Sequence, residues 1–204
     1  MNELPWKPVV YLPANLTVSL GEAVLANDAP QAWCEEKAAS LLGVNAGRRE
    51  VRKLAACLEE YVVHFRGQRP LITAALFFYP DFVHLPPRAS TQIEAFGEHS
   101  EKGPLTMAAM RQMLGQPDAL SFGEVEITEA EVPAGRALRA HRFRKAEPRK
   151  RHTRIGEEIV WVIWPPESTA IVSMATRWME TAFSKAAFSI ADDMAKNFRI
   201  EPTH

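Results

Sequence analysis

The sequence predicts an α+β protein, in which an antiparallel β-sheet meander is flanked by helices in an α/β/α sandwich, with a helical pair near the N-terminus. Residues 157–178 contain two apolar runs rich in Val, Ile and Trp, joined by Pro165-Pro166-Glu167-Ser168. This pattern is typical of a β-hairpin. Strand and helix patterns are segregated along the chain instead of alternating, which favours α+β over a doubly wound parallel sheet.

Length and composition indicate one ordinary globular domain spanning residues 1–204. The chain has 204 residues, 47% hydrophobic and 24% charged, with a net charge of −1. This near-neutral total predicts neither a general nucleic-acid binder nor an acidic solvating protein. No secretory signal or membrane-spanning run is evident, so we expect a cytoplasmic protein. Cys34 and Cys57 fall on separate predicted helices and are expected to be reduced thiols.

Two helices are predicted within residues 28–66, and the sheet with its flanking helices within 71–200. The first helix has Asp28 or Asn27 as its cap and Pro30 in its first turn, and it stops at Gly43. The second runs from Arg48 to Arg66, because its apolar residues recur at steps of three and four. The two helices are expected to form a hairpin on one side of the sheet.

The central strand is predicted at Ile159–Trp164, which is apolar on both faces and therefore belongs in the interior of a sheet. Leu71–Tyr79 has the same character and is expected to lie beside it. Residues 82–95 favour a loop, with a short extended stretch at 93–96 left open. A helix is expected from Pro104 to Leu114, and the last helix from about Thr181 to Lys196.

A second hairpin is predicted from Glu124–Val132 and Arg136–Lys145, around a turn at Pro133-Ala134-Gly135. If this turn is a three-residue loop, its length fixes which residues lie opposite each other across the pair. The resulting pairs are Glu129 with Arg139, Glu126 with Arg142, Glu124 with Arg144, and Val125 with Phe143. Opposite charges placed directly across an antiparallel pair are mildly stabilising, which gives much of this charge a structural explanation.

The end of the chain resembles the Mog1/PsbP-like group. The resemblance lies in a Trp-rich strand (IVWVIW), a strand ending in Trp178 (IVSMATRW), a helix (AFSKAAFSIADDMAKNF) and a closing FRI. The group consists of antiparallel sheets sandwiched by helices and includes many bacterial proteins. Its members act mostly as binding or accessory modules, so the resemblance implies a non-catalytic role and transfers no catalytic residues.

No motif for catalysis, metal binding or a cofactor is present. Nucleophile elbows, Walker loops, dinucleotide fingerprints and HExxH are all missing from the sequence. The nearest approach to a metal set is Glu94, Glu98 and His99, for which a solvated acidic loop is the better interpretation. The histidines have no Cys or carboxylate at a characteristic spacing. We therefore expect neither an enzyme nor a metal or cofactor.

The basic run at residues 136–154 is the most distinctive feature. It holds nine of the 24 Lys and Arg residues and one acidic residue, Glu147, so that the rest of the chain has a balance of −9. The candidates for binding a partner or an anion are Arg142, Arg144, Lys145, Arg149, Lys150, Arg151 and Arg154. The loop part of this run, residues 146–153, is either a solvated hairpin tip or an anion-binding tip for a phosphate backbone, an anionic lipid or an acidic protein patch. Because the remainder of the chain is acidic and the segment has no aromatic residue to stack on bases, nucleic acid is the weaker partner.

The sequence therefore favours an accessory or adaptor protein that binds a protein partner, including a second copy in a homodimer. The first alternative is a small-ligand binder or an enzyme with a pocket beside the Trp-rich sheet. Trp161, Trp164 and Trp178 are the candidates for lining such a pocket, although core packing is the ordinary role of strand tryptophans. The second alternative is weak nucleic-acid or anion binding through the basic tip at 142–154.

Overall fold

The computed structural model describes residues 6–13, 16–25, 30–66, 68, 71–96, 105–118, 120–145, 155–166 and 168–202. The strands in these ranges are β1 (Trp6–Val9), β2 (Thr17–Ser19), β3 (Leu71–Phe77), β4 (Ala89–Phe96), β5 (Ser121–Val132), β6 (Gly135–Lys145), β7 (Ile155–Trp164), β8 (Ile171–Trp178) and β9 (Arg199–Pro202). The helices are α1 (Gly21–Leu25), α2 (Pro30–Leu42), α3 (Arg48–Arg66), α4 (Met107–Gly115) and α5 (Ser184–Asn197), the last preceded by a 3₁₀ turn at Thr181–Phe183.

The main sheet has seven strands in the order β2-β3-β4-β8-β7-β6-β5, and every neighbouring pair is antiparallel. Strands β5 to β8 form the predicted meander, while β1 and β9 pair separately at the chain ends. With helices packed on the sheet, the prediction of an α+β fold with a flanked antiparallel sheet is confirmed. No helix in the described ranges is long and apolar enough to cross a membrane.

Helices cover both faces of the sheet and divide its core into three apolar clusters. On one face, called the α5 face, α5 packs on β7 and β8 through Ala187, Ala191 and Met194. On the opposite face, called the α4 face, α4 lies over β5 and β6, whereas α1, α2 and α3 lie over β2 and β3. The predicted α2–α3 hairpin is therefore present on one side of the sheet.

The local helix signals correspond closely to the structure. Helix α2 ends at Leu42, and Gly43 follows with a φ of +79°, a conformation that glycine adopts without steric cost. Helix α3 runs from Arg48 to Arg66, as its amphipathic stripe predicts, and buries Leu54, Leu58 and Val62 against the sheet. The proposed cap of α2, Asn27 or Asp28, lies outside the described residues.

The interior position of β7 is confirmed, since residues 156–163 are buried on both faces. The expectation that Leu71–Tyr79 lies beside it is wrong. Strand β3 pairs with β2 and β4 and is separated from β7 by β4 and β8. The loop expected at 82–95 is also wrong in its second half, where β4 inserts between β3 and β8. Both errors concern long-range pairing, which local pattern does not determine.

The predicted β5–β6 register is wrong by one residue. The turn contains two residues, Pro133 and Ala134, and Val132 pairs with Gly135, so that Arg139 lies opposite Thr128 instead of Glu129. A register shift between Phe122 and Glu126 then places Phe122 opposite Phe143. As a result, none of the three predicted Glu–Arg pairs forms across these strands. Arg139, Arg142 and Arg144 pair with other carboxylates.

Candidate partner-binding surface

The basic end of the sheet is the end at which β6 finishes with Lys145 and β7 begins with Ile155. Residues 146–154 join these two strands and lie outside the described residues, as do the candidates Arg149, Lys150, Arg151 and Arg154. The other three candidates, Arg142, Arg144 and Lys145, are on β6. The geometry of this surface is therefore defined by the strand ends.

A fully buried carboxylate, Glu158, organises the α4 face at the basic end. Glu158 lies on β7 directly opposite Arg142 of β6 and Arg177 of β8, and its two oxygens accept hydrogen bonds from the Nε atoms of both arginines. Nη1 of Arg144 donates to the same carboxylate over 3.3 Å. Burial alone raises the pKa of Glu158, but the charges of Arg177, Arg142 and Arg144 outweigh it and hold the pKa below its usual value.

Two polar side chains extend this cluster on either side. Nη1 of Arg177 donates to the Gln92 side-chain oxygen on β4 over 3.4 Å. Nη2 of Arg144 lies 3.1 Å from a carboxylate oxygen of Asp118, and hydrogen bonds from Ser121 and Leu120 together with the charge of Arg144 keep the Asp118 pKa low despite some desolvation. Three guanidinium groups thus face two carboxylates, which leaves a positive excess.

A second polar chain lies on the α5 face of the same strands. Nε2 of His141 is 3.0 Å from one oxygen of Glu157, while the Ser184 hydroxyl donates to the other oxygen. The indole N–H of Trp178 in turn donates to the Ser184 oxygen over 3.0 Å. The chain joins β6, β7 and β8 to the start of α5, so it stabilises the packing of this helix on the sheet.

Exposed apolar side chains lie next to this chain, beyond the start of α5. Phe122 and Phe143 are directly opposite each other on β5 and β6, and they are 48% and 39% exposed. Ile155, opposite Lys145, is 39% exposed. Residues opposite each other share a face, so the three apolar side chains and Lys145 all lie on the α5 face.

The predicted pocket tryptophans do not come together. Trp161 and Trp178 are buried on the α5 face, whereas Trp164 lies on the α4 face, where it packs with the cluster around Met110. Each indole N–H is used internally: Trp161 donates to Asp192 (3.1 Å), Trp164 to the carbonyl of Leu105 (2.8 Å) and Trp178 to Ser184. Their assignment as pocket residues stays a prediction.

His141 and Ser184 both contact Glu157, each at a different carboxylate oxygen. The Ser184 hydroxyl donates to Glu157 and not to His141, so the three do not form the order in which a histidine activates a serine. Among the described residues, no group of three or more His, Cys, Asp or Glu side chains is placed to hold a metal ion. Glu94 accepts a hydrogen bond from Gln92, and Glu98 and His99 lie outside the described residues.

Sequence analysis missed Arg177 and Glu158 as members of the basic cluster. A signal for both was available, because Arg177 is the one charged residue within the apolar stretch Ile171–Trp178. Likewise, Glu158 sits at the start of the doubly apolar β7, where an unpaired carboxylate would be strongly unfavourable. Charges of opposite sign within apolar stretches of two neighbouring strands are a reason to expect an ion pair.

Comparison with known proteins gives a structural likeness but no match to a family description or a curated sequence. No protein-family description matches the sequence, and no curated protein matches it significantly. The fold is similar to the crystal structure of LpqN of Mycobacterium tuberculosis, which is involved in cell envelope biogenesis. The two chains are 10% identical, with a TM-score of 0.47, over 97% of this chain and 86% of LpqN.

Proposed function

We propose that this protein is a non-catalytic accessory or adaptor module that binds an acidic surface of a protein partner through the basic end of its sheet. The observation that carries the proposal is the charge polarity. Nine basic residues and one acidic residue lie in 136–154, against a balance of −9 in the remainder. A dipolar surface of this kind steers and orients a partner of complementary charge.

The Glu158 cluster supports this role because it fixes the strand ends that segment 146–154 joins. The side chains of Arg142 and Arg144 are only 14% and 21% exposed and form ion pairs with Glu158. Their role in the proposal is therefore to stabilise the surface, and other cations contact the partner. The cations that remain for a partner are Arg177, whose side chain is 45% exposed, Lys145 and the four of the tip. Because ion pairs hold these strand ends in place, less conformational entropy is lost when the contact residues become ordered on binding.

The alternatives have less support. A ligand pocket beside the tryptophans would need side chains that point into a shared space, and these indoles are divided between the two faces. A nucleic acid would be repelled by the acidic remainder of the molecule.

A cytoplasmic location forms part of the proposal and is supported by Cys34 and Cys57, which are both free thiols. A non-catalytic role is also what the resemblance to the Mog1/PsbP-like group implies.

Affinity capture from cells, read by mass spectrometry, tests the proposal. The bait is compared with a variant in which Arg149, Lys150, Arg151 and Arg154 are all replaced by Gln. A partner bound by the wild type should be lost or strongly reduced in this variant, and its binding should weaken as the salt concentration rises.

The matched control carries the same change in charge at a distant site, Arg48→Gln, Arg49→Gln, Arg52→Gln and Lys53→Gln. These four residues are exposed on α3, so the control should fold and keep the partner. Equal capture by the wild type and the tip variant would overturn the proposed contact. Loss in both variants would indicate dependence on total charge and not on the basic end.

A further inference from the structure

We propose that the partner of the basic end is an acidic protein segment that also carries apolar side chains, and that Phe122 and Phe143 bind its apolar part. This inference rests on the proposed function and names the chemistry of the partner. It depends on an apolar surface that lies beside the cations in the fold. The spacing of residues in the sequence did not predict this surface.

The first step is the unusual exposure of two aromatic rings. The chain has ten phenylalanines, all within the described ranges, and Phe122 and Phe143 are the two that are exposed. Their direct cross-strand pairing joins them into one apolar surface. Exposed aromatic side chains of this kind are enriched at the centres of protein interfaces.

The second step is continuity between this apolar surface and an exposed cation, Lys145. Phe143 is two residues before Lys145 on β6, and Lys145 lies opposite Ile155 on β7. Phe122, Phe143, Lys145 and Ile155 therefore share the α5 face, at the strand ends from which residues 146–154 continue. We call these four residues the apolar–basic patch.

The third step is the choice of a peptide segment over an extended anionic surface. Glu126 lies opposite His141 on the α5 face and is exposed, four residues along β5 from Phe122. Glu124 of the same strand is also exposed. A lipid bilayer or a nucleic acid carries negative charge over its whole surface and would be repelled here, whereas a short segment can place its carboxylates over the cations alone.

The test measures binding of fluorescent synthetic peptides by anisotropy. One peptide alternates Glu with Leu and Phe, a second has Ser in place of every apolar residue, and a third has Lys in place of every Glu. The wild type should bind the first about tenfold more tightly than the second and should not bind the third. In the variant with Phe122→Thr and Phe143→Thr, the first peptide should bind only as weakly as the second.

The matched control variant carries Val63→Gln and Met113→Gln. These two side chains are 60% and 56% exposed on α3 and α4, away from the apolar–basic patch, so the control should bind like the wild type. Circular dichroism establishes that each variant folds. If the double Phe variant does not fold, Phe122→Thr alone, on the edge strand β5, replaces it.

Each of the following results would overturn the inference. If the first two peptides bind equally, or if the Phe substitutions do not change the affinity, then only the acidic part of the partner is recognised. The proposed function would still stand, because it depends on the tip cations and not on the two phenylalanines. Phe-dependent binding to phosphatidylglycerol vesicles or to an oligonucleotide, without peptide binding, would replace the proposed occupant by a membrane or nucleic acid. Phe-dependent dimerisation in sedimentation, without peptide binding, would make it a second copy. The inference is also overturned if the wild type binds none of the peptides. The affinity capture with the tip variant tests the proposed function separately.

Discussion

Glu158 and Arg142 lie directly opposite each other on β7 and β6, and the buried carboxylate of the first accepts a hydrogen bond from the guanidinium of the second. Arg177 makes the equivalent contact from β8. One charged group therefore ties three strands together at the end of the sheet that we propose as the binding surface. This arrangement makes the stability of the basic end depend on a single carboxylate.

Glu158→Gln should strongly destabilise the fold. The amide keeps the size of the side chain but removes the negative charge, which leaves Arg142 and Arg177 facing each other in a partly buried site. Removal of one member of a buried ion pair costs about 3–5 kcal/mol. Urea unfolding followed by circular dichroism measures the loss.

Glu124→Gln is the control for this change, because Glu124 is exposed on β5 and should shift the free energy of unfolding by less than about 0.5 kcal/mol. If Glu158→Gln were as stable as the wild type, the guanidinium cluster would not depend on this charge.

The same carboxylate predicts the dependence of stability on pH. The pKa of Glu158 is lower in the folded protein than its ordinary value of 4.5, so the unfolded chain binds the proton more tightly. The stabilisation is therefore fully present above about pH 4.5 and is lost as the pH falls through the folded pKa. The difference in unfolding free energy between wild type and Glu158→Gln should shrink in acid. A constant difference from neutral pH to about pH 3 would contradict this assignment.

Local patterns in the sequence predicted the elements well and their pairing poorly, for physical reasons. The ends of α3 follow from an amphipathic stripe, and the burial of β7 follows from apolar residues on both faces. Neighbours in the sheet depend on contacts between distant segments, so the insertion of β4 between β3 and β8 has no local signal.

The candidate site shows the same division. The basic run is visible in the sequence. Its predicted ion pairs across β5 and β6, however, depended on the length of the turn, and Pro133-Ala134-Gly135 is compatible with a loop of two or of three residues. With two residues in the turn, the pairs between the turn and Glu126 move by one position, so Arg139 lies opposite Thr128. Arg142 pairs instead with Glu158 of the other neighbouring strand, β7, and Arg139 with Asp192 on α5. Glu129, left without the predicted partner, pairs with Arg111 of α4 over 2.8 Å.

Both thiols should react slowly in the folded protein. Burial raises the pKa of Cys34 and of Cys57 to about 11 from an ordinary value of 9.0, with further contributions from Glu59 and Glu60 respectively. At a given mildly alkaline pH the reactive thiolate is about a hundredfold scarcer than for an ordinary thiol. Ellman's reagent should label both slowly in buffer and rapidly in urea, with Cys34→Ser and Cys57→Ser assigning each phase. Fast labelling of either thiol in the native state would contradict this prediction.

Gly135→Ala should destabilise the β5–β6 hairpin, because two constraints act on the same residue. Gly135 has a φ of +135°, which side chains other than glycine rarely adopt, and an added Cβ would collide with the backbone carbonyl of Trp164 on β7. Strain of this kind costs about 1–3 kcal/mol before the collision is counted. The control is Gly47→Ala, where the Cβ would meet only a Glu50 carboxylate oxygen at 3.5 Å, so thermal unfolding should separate the two variants clearly. If both variants melted together, the two-residue turn would not require glycine. The register of β5 against β6 would then have to be fixed by the strands alone.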